Sequence, residues 1–441
     1  MKVNVNENLI QSRLNKETVI VIDPGHGGEN KGADYSGLVE KSINMKTANA
    51  MYEELSKYEN VKVYLSHTDI EFDMSLKERA EYAKSVNADY LISLHYNASE
   101  DHSLYGCEAW IPSIGSYYVK GYQLADNIIN EITGLGINSK GVKTRIGDDG
   151  DEYYGIIREC ENRGITSIIV EHCYLDNRND SRYVKNDAGF ENFGKADALG
   201  LAKFLGLKSN VLGVDYSTHQ NVSVIEPQTR IYQDSTPPEI MSVEVTKFDK
   251  DKAVLEFSIQ AKDNDTYINY YSYSLDGGKN FTELLLWDTY AGETLNIGVG
   301  NISEDIINNG IELVVRVYNM YDVRAESEMI DVYKLYGIEN ESQPMKEETS
   351  TENFSNDESS NDEVSNNSDG ENETKEFIEE ESFEEIYEET FKEINTETSA
   401  SKDVEGGNKD SVIYKGSVII IIGIILAVIL AVIFKKGKTT K

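Results

Sequence analysis

The chain is predicted to open with an α/β domain, a twisted and mostly parallel sheet flanked by helices. An all-β sandwich, a disordered acidic stalk and a single transmembrane helix are expected to follow it. Three observations predict this. Short, near-continuously apolar runs alternate with helical periodicity from Thr18 to Leu207. After Pro237-Pro238 the pattern changes to alternating apolar and polar residues. From Glu339 the chain becomes acidic and poor in apolar residues, until one long uncharged apolar run near its end.

Taken in order, residues 18–208 form the first domain, behind an N-terminal segment of residues 1–17. TVIVID (Thr18–Asp23) is a β-branched run that stops at Pro24-Gly25. Ile43, Thr47, Met51 and Leu55 recur every four residues and mark one face of a helix. VKVYL (Val61–Leu65) reads as a strand, and Leu76–Val86 as a helix with Leu76, Ala80, Ala83 and Val86 in register. Ala88–Leu94 reads as a strand, Gly121–Ile132 as a helix, ITSIIV (Ile165–Val170) as a strand and Lys195–Phe204 as the closing helix. Strands this apolar need cover on both sides, which implies a parallel sheet between helical layers.

Residues 209–235 are mixed polar sequence and are expected to be a linker. In residues 236–336, Leu255, Phe257 and Ile259 alternate, as do Leu313, Val315 and Val317, with a turn at Asp276-Gly277-Gly278 between them. This pattern resembles a bacterial immunoglobulin-like or fibronectin type III module. Residues 337–416, rich in Glu, Asn, Ser and Thr, are expected to be a disordered stalk extended by its own charge. Residues 417–434 (SVIIIIGIILAVILAVIF) suit a hydrocarbon core of ~30 Å. Lys435, Lys436, Lys438 and Lys441 in the 435–441 tail place that end in the cytoplasm and everything before the span outside. The first 17 residues show no apolar h-region of a signal peptide. The expectation is a start that lies further upstream; the alternative is a tail-anchored chain with its domains inside.

The formal net charge is −36, much of it between Glu339 and Glu405. That argues against nucleic acid as a partner, because a basic patch supplies that affinity. Cys107, Cys160 and Cys173 form neither a disulfide framework nor a CxxC metal pair.

Three apolar runs end on residues able to bind a metal or move a proton. Val19–Asp23 leads through Pro24-Gly25 to His26, Tyr90–Leu94 leads to His95, and Ile168–Val170 leads to Glu171. In parallel α/β sheets, sites form outside the carboxyl ends of the strands. Glu40 opens the helix after the glycine-rich loop and can face the same crevice. Two imidazoles and one carboxylate make a catalytic zinc set with a fourth position for water. Zinc lowers the pKa of that water from 15.7 to about 7. A carboxylate beside the metal but not bound to it can carry a proton to a leaving nitrogen, and Glu171 suits that task. Gly25, Gly27 and Gly28 make a poor phosphate loop, since neither GxGxxG nor a P-loop lysine is present.

DPGHGG (Asp23–Gly28), Glu40 within VEKSINMKTA, SLHYNA (Ser93–Ala98) and IIVEHCYLDN (Ile168–Asn177) resemble the four signature blocks of the zinc-dependent N-acetylmuramoyl-L-alanine amidase family. Order and spacing match as well, over about Thr18 to Leu207. The resemblance implies one Zn2+ held by His26, Glu40 and His95, with Glu171 as catalytic acid–base. It implies peptidoglycan as substrate, cut at the amide joining N-acetylmuramic acid to L-alanine during cell-wall remodelling or lysis. On that reading the head lies on the wall side of a cell membrane that holds the C-terminal helix. Asn97 and Arg158 are candidate substrate holders.

Two positions depart from the family's pattern. His67 stands where an arginine is common after the strand near Leu65, and His172 follows Glu171 where a small residue is common. His172 is expected on the opposite face of its strand, and His67, His102 and His219 on the surface or in loops. Two other functions compete. One is a non-catalytic, wall-binding surface protein built on an amidase fold, which would ordinarily have lost a ligand or the glutamate. The other is a zinc carboxypeptidase, which would need a carboxylate-binding arginine such as Arg158. Head, sandwich and stalk are expected to be separable, with the head active when cut away.

Overall fold

The computed structural model describes residues 17–288 and 292–338. The expected stalk, membrane span and basic tail lie outside the described residues, apart from the stalk's first two positions. No helix among the described residues is long and apolar enough to cross a membrane.

Six strands build the sheet of the head: β1 (Thr18–Pro24), β2 (Val61–Leu65), β3 (Tyr90–Asn97), β4 (Cys107–Trp110), β5 (Ser139–Lys143) and β6 (Thr166–Tyr174). Their order across the sheet is β2-β1-β3-β6-β4-β5. The first four run parallel. β4 joins β6 antiparallel and carries β5 parallel to itself, so one edge of the mostly parallel sheet is a reversed pair.

The helices are α1 (Glu40–Leu55), α2 (Leu76–Ser85), α3 (Gly115–Thr133), α4 (Gly155–Glu161), α5 (Arg178–Ser181) and α6 (Asp187–Leu205). On one face α1, α3 and α6 bury Met51, Leu55, Leu124, Ile128 and Leu201 against Ile20, Ile22, Ile92, Leu94 and Val170. On the other, α2 and α4 bury Ala80, Ala83, Ile156 and Ile157 against Val21, Leu91 and Ile169. Each such aliphatic side chain is worth about 1.5–3 kcal/mol on burial. The strict two-residue alternation of β1, β3 and β6 therefore locks which side chains face which layer. α2 begins in a capping box, in which the Ser75 side chain accepts from the Glu78 N–H and Glu78 accepts from Ser75. α6 starts earlier than its apolar pattern shows, capped by the Asn186 side chain, and ends on Gly206 at φ +66°.

Beyond the head, β7 (Glu239–Asp249), β8 (Val254–Lys262) and β10 (Thr294–Val299) form one antiparallel sheet. β9 (Ile268–Ser274), β11 (Glu312–Asn319) and β12 (Arg324–Glu326) form another. Leu255, Phe257 and Ile259 of β8 share one core with Leu313, Val315 and Val317 of β11, so the two sheets pack as layers over it.

The segment 209–235 is not the free linker expected from its polarity. Several of its polar groups tie it along the head as a strap. Asn221 Nδ2 donates to the Phe204 carbonyl (2.9 Å) and the Ile231 N–H to the Ser113 carbonyl (2.9 Å). Arg230 bonds Glu152 (2.7 Å) and Asp151 (2.6 Å).

The sandwich, too, is docked on the head; the two belong to one compact unit. The Tyr321 hydroxyl accepts from the Thr144 N–H (3.0 Å) and donates to the Thr144 carbonyl (3.2 Å). Asp322 accepts from Lys140 (2.8 Å), and the Tyr270 hydroxyl donates to the Tyr105 carbonyl. β5 is the edge strand of the head, and an uncovered edge invites unwanted pairing.

Candidate active site

The site forms where β1, β3 and β6 end. Asp23, Ser93, His95 and Glu171 occupy positions of one parity on these strands, on the α2/α4 face, and His95 pairs in register with Glu171. Beyond β1 the chain turns through Gly25, where any Cβ would lie 2.2 Å from the His95 ring, so only glycine lets the two segments approach. His26 follows in the left-handed region at φ +67°.

That strained turn is held from outside. The Arg79 guanidinium, 3% exposed, donates to Asp23 (2.7 Å), to the Pro24 carbonyl (2.7 Å) and to the His26 carbonyl (2.6 Å). Asp23 also accepts from Ser66 (2.6 Å) and Ser93 (2.9 Å).

Glu40, the first residue of α1, reaches back into the crevice with its carboxylate 5% exposed. Its Oε1 lies 3.0 Å from His26 Nε2 and 3.1 Å from His95 Nδ1, while its Oε2 accepts from the Ala33 N–H (2.8 Å). Gly32, at φ +69°, leaves room for that carboxylate. The ligand atoms of His26, Glu40 and His95 all lie within 4.8 Å of one another, as a metal cradle among the described residues. A tetrahedral ion with bonds of ~2.1 Å would space its donors ~3.4 Å apart, against 3.0 and 3.1 Å from Glu40 Oε1 to the two rings.

The far nitrogens of both rings are also held. His26 Nδ1 bonds Asn30 Oδ1 (2.9 Å), and His95 Nε2 bonds Ser93 Oγ (3.2 Å), which fixes ring orientation as metal sites require. Burial alone would lift Glu40, but hydrogen bonds from His26 and His95 hold its carboxyl far below the usual range. Burial alone would lower His26, but the Glu40 contact outweighs it and its pKa is raised.

Glu171 behaves in the opposite way. Burial, then the charges of Glu40 and Glu108, push its carboxyl well above the usual range. As a residue it is partly exposed, yet its Oε2 is sealed from solvent and finds no hydrogen-bond partner among the described residues. Glu108 is its in-register neighbour on β4, 3% exposed and bonded to Lys143 and to Asn97. The adjoining pocket of ≈ 310 Å³ is lined by His26, His95, Met74, Leu76, Tyr154 and Ile156, among others.

His26, Glu40 and His95 thus come together, with Glu171 in register beside His95. Of the two other candidates, Asn97 donates to Glu108, the neighbour of Glu171, and Arg158 donates to the Glu152 carbonyl. His172 faces the opposite layer, fully buried between the His95 carbonyl (2.8 Å) and Asp197 (2.9 Å). His67 lies in the loop after β2, as expected, but is buried: it is 8% exposed, bonded to Ser66, and its pKa is lowered by burial and by Arg79. His102 pairs with Asp176 and His219 with Asn127. Sequence reasoning missed Arg79, Asn30 and Ser93. Arg79 had a signal, since it adjoins Ala80 on the apolar stripe of α2, where a charge needs a reason.

Residues 20–203 match the family described as N-acetylmuramoyl-L-alanine amidase. Among solved structures, the catalytic domain of CwlV from Bacillus (Paenibacillus) polymyxa var. colistinus is similar over 43% of this chain and 99% of that one, at 23% identity and a TM-score of 0.38. The chain is 29% identical over 192 residues to the sporulation-specific N-acetylmuramoyl-L-alanine amidase of Bacillus subtilis strain 168, covering 43% of this chain and 69% of that protein. It is 32% identical over 193 residues to the N-acetylmuramoyl-L-alanine amidase CwlM of Bacillus licheniformis, covering 43% of this chain and 70% of that protein. With those blocks and that coverage, the chain belongs to the N-acetylmuramoyl-L-alanine amidase family, enzymes that act on peptidoglycan.

Proposed function

We propose that this amidase cuts the amide between the lactyl group of N-acetylmuramic acid and L-alanine with one zinc ion, held by His26, Glu40 and His95, and with Glu171 as acid–base. The observation that carries this is the pairing of a three-donor cradle with an unpartnered carboxylate on the next strand, in register with His95. A zinc ion there would supply an ionisable water and polarise the scissile carbonyl. The remaining work falls to the chain. Arg79 and Asp23 hold the His26 turn, and Ser93 and Asn30 aim the two rings. Glu171, ionised when its neighbourhood carries a compensating cation, takes a proton from water and returns it to the leaving nitrogen. Its seclusion keeps that proton from bulk solvent.

Membrane attachment through residues 417–434, with the head on the wall side, is part of this proposal and rests on the apolar run and the lysines after it. The non-catalytic reading gains nothing from the site, where all four positions are filled.

The test is to incubate the full-length chain with peptidoglycan, with and without a zinc chelator, and to read the soluble products by mass spectrometry. Stem peptides with a free L-alanine amine, lost on chelation and restored by zinc, are expected. Undigested peptidoglycan with folded, zinc-loaded protein would return the chain to the binding class, and products cut elsewhere in the stem would point to a peptidase.

A further inference from the structure

A second and larger cleft, of ≈ 880 Å³, lies where α3, the end of the strap and the sandwich meet. Tyr118 and Tyr122 line it from α3, Tyr267 and Tyr321 from the sandwich, with Asp126 and Gln233 among them. Tyr118 and Tyr122 pack on the core beneath α1, α3 and α6 and Tyr321 on the α2/α4 side, and no residue of the cleft lines the catalytic pocket. A ligand held here would leave the catalytic pocket free.

The lining decides the ligand's chemistry. No lysine or arginine lines the cleft among the described residues, which argues against phosphate and other anions. Its three acids each already accept from a donor of the chain: Asp126 from Asn130 Nδ2 (3.3 Å), Asp265 from Thr236 Oγ1 (2.9 Å), and Asp234 from several groups. Asp234 is already met by the Thr236 N–H (2.9 Å), Thr236 Oγ1 (2.6 Å), Thr266 Oγ1 (2.7 Å) and Asn319 Nδ2 (2.9 Å). Burial pushes the Asp126 carboxyl up and so disfavours its charge. Ring faces beside carboxylate, amide and hydroxyl groups suit a neutral ligand with apolar C–H faces and a rim of hydroxyls. The volume is that of a small-ligand site.

We propose that this cleft binds a saccharide, a short run of N-acetylhexosamines of a glycan strand, and so keeps the enzyme on its polymer while the separate catalytic pocket works. The choice of N-acetylhexosamine rests on the peptidoglycan reading; the preference for a neutral sugar rests on the cleft itself.

The test titrates the full chain, in detergent, with chitotetraose, followed by calorimetry and saturation-transfer NMR. This sugar carries no amide of the scissile type, so binding is read without turnover. Saturable binding is expected, weakened on the order of tenfold by Tyr122→Ala and by Tyr267→Ala. Both variants should hydrolyse a soluble muramyl peptide as the parent does. Tyr122→Phe and Tyr267→Phe keep the rings and should keep most of the binding, which separates lost stacking from lost fold. Absence of saturation, affinity that survives both alanine variants, or tighter binding of trilysine than of chitotetraose would each overturn the proposal. An enzyme that binds the sugar but releases no peptide would instead count against the amidase reading.

Discussion

Two buried polar clusters flank Glu171, and they close their charges differently. Towards the sandwich, each charge has a partner: Lys143 meets Glu108, and fully buried Lys140 meets Asp322 and the Tyr174 hydroxyl (2.7 Å). Towards β1, three metal-capable atoms crowd one point, and Glu171 beside them leaves an oxygen unpartnered. A buried ion pair with both partners present is a structural joint, whereas three donors converging on one point are the arrangement that would hold a metal ion. The difference separates machinery from scaffold within a few residues of the same strands.

The largest effect should come from the open cluster. Glu171→Gln is expected to lower kcat by roughly 10²–10⁴-fold, with zinc content by metal analysis unchanged; a loss under tenfold would strip Glu171 of its assigned role. The closed cluster should answer in stability instead. Lys143→Met removes one partner of a pair whose side chains are 1% and 4% exposed. It should cost about 3–5 kcal/mol in urea unfolding, and a neutral result would mean that the seam is not the joint described. Arg79 joins the two behaviours, being buried and paired yet gripping the His26 turn. Arg79→Met should weaken zinc affinity about 10–100-fold in a competition titration. An unchanged affinity would show that the turn holds itself.

The smallest effect is a pH dependence of the metal-free protein. Glu171 is raised above its ordinary value of 4.5, so the folded chain keeps a proton there that the unfolded chain releases. Stability therefore falls as pH rises from the ordinary value through the raised one. With chelator present, Glu171→Gln should melt higher than the parent near neutral pH, with the gap closing in acid. The opposite ordering would place Glu171 in a solvated setting.

Much of this was legible in the sequence. β1, β2, β3 and β6 announce themselves by β-branched runs, and Val61–Leu65 has the expected ends. The residues that converge sit directly at the ends of those runs. CEAW and SKGVK were not legible as β4 and β5, because their strand character comes from pairing, β4 with β6 and β5 with β4, and from the Lys143–Glu108 contact. α4 is short and has no periodicity to read. The strap escaped for another reason: its polarity looks the same whether it faces water or the polar groups of the head. Asn97 and Arg158 were chosen by position near the motifs, and only three-dimensional geometry shows that Glu108 and the Glu152 carbonyl occupy them.

The pairing of Lys140 with Asp322 spans 182 residues of chain. At a synthesis rate of ~5–20 residues per second, the head waits roughly 10–40 s before its partner leaves the ribosome. During that interval β5 presents an open edge, with Lys140 lacking its Asp322 counter-charge. An edge strand left open in this way is a template for unwanted pairing until the sandwich arrives.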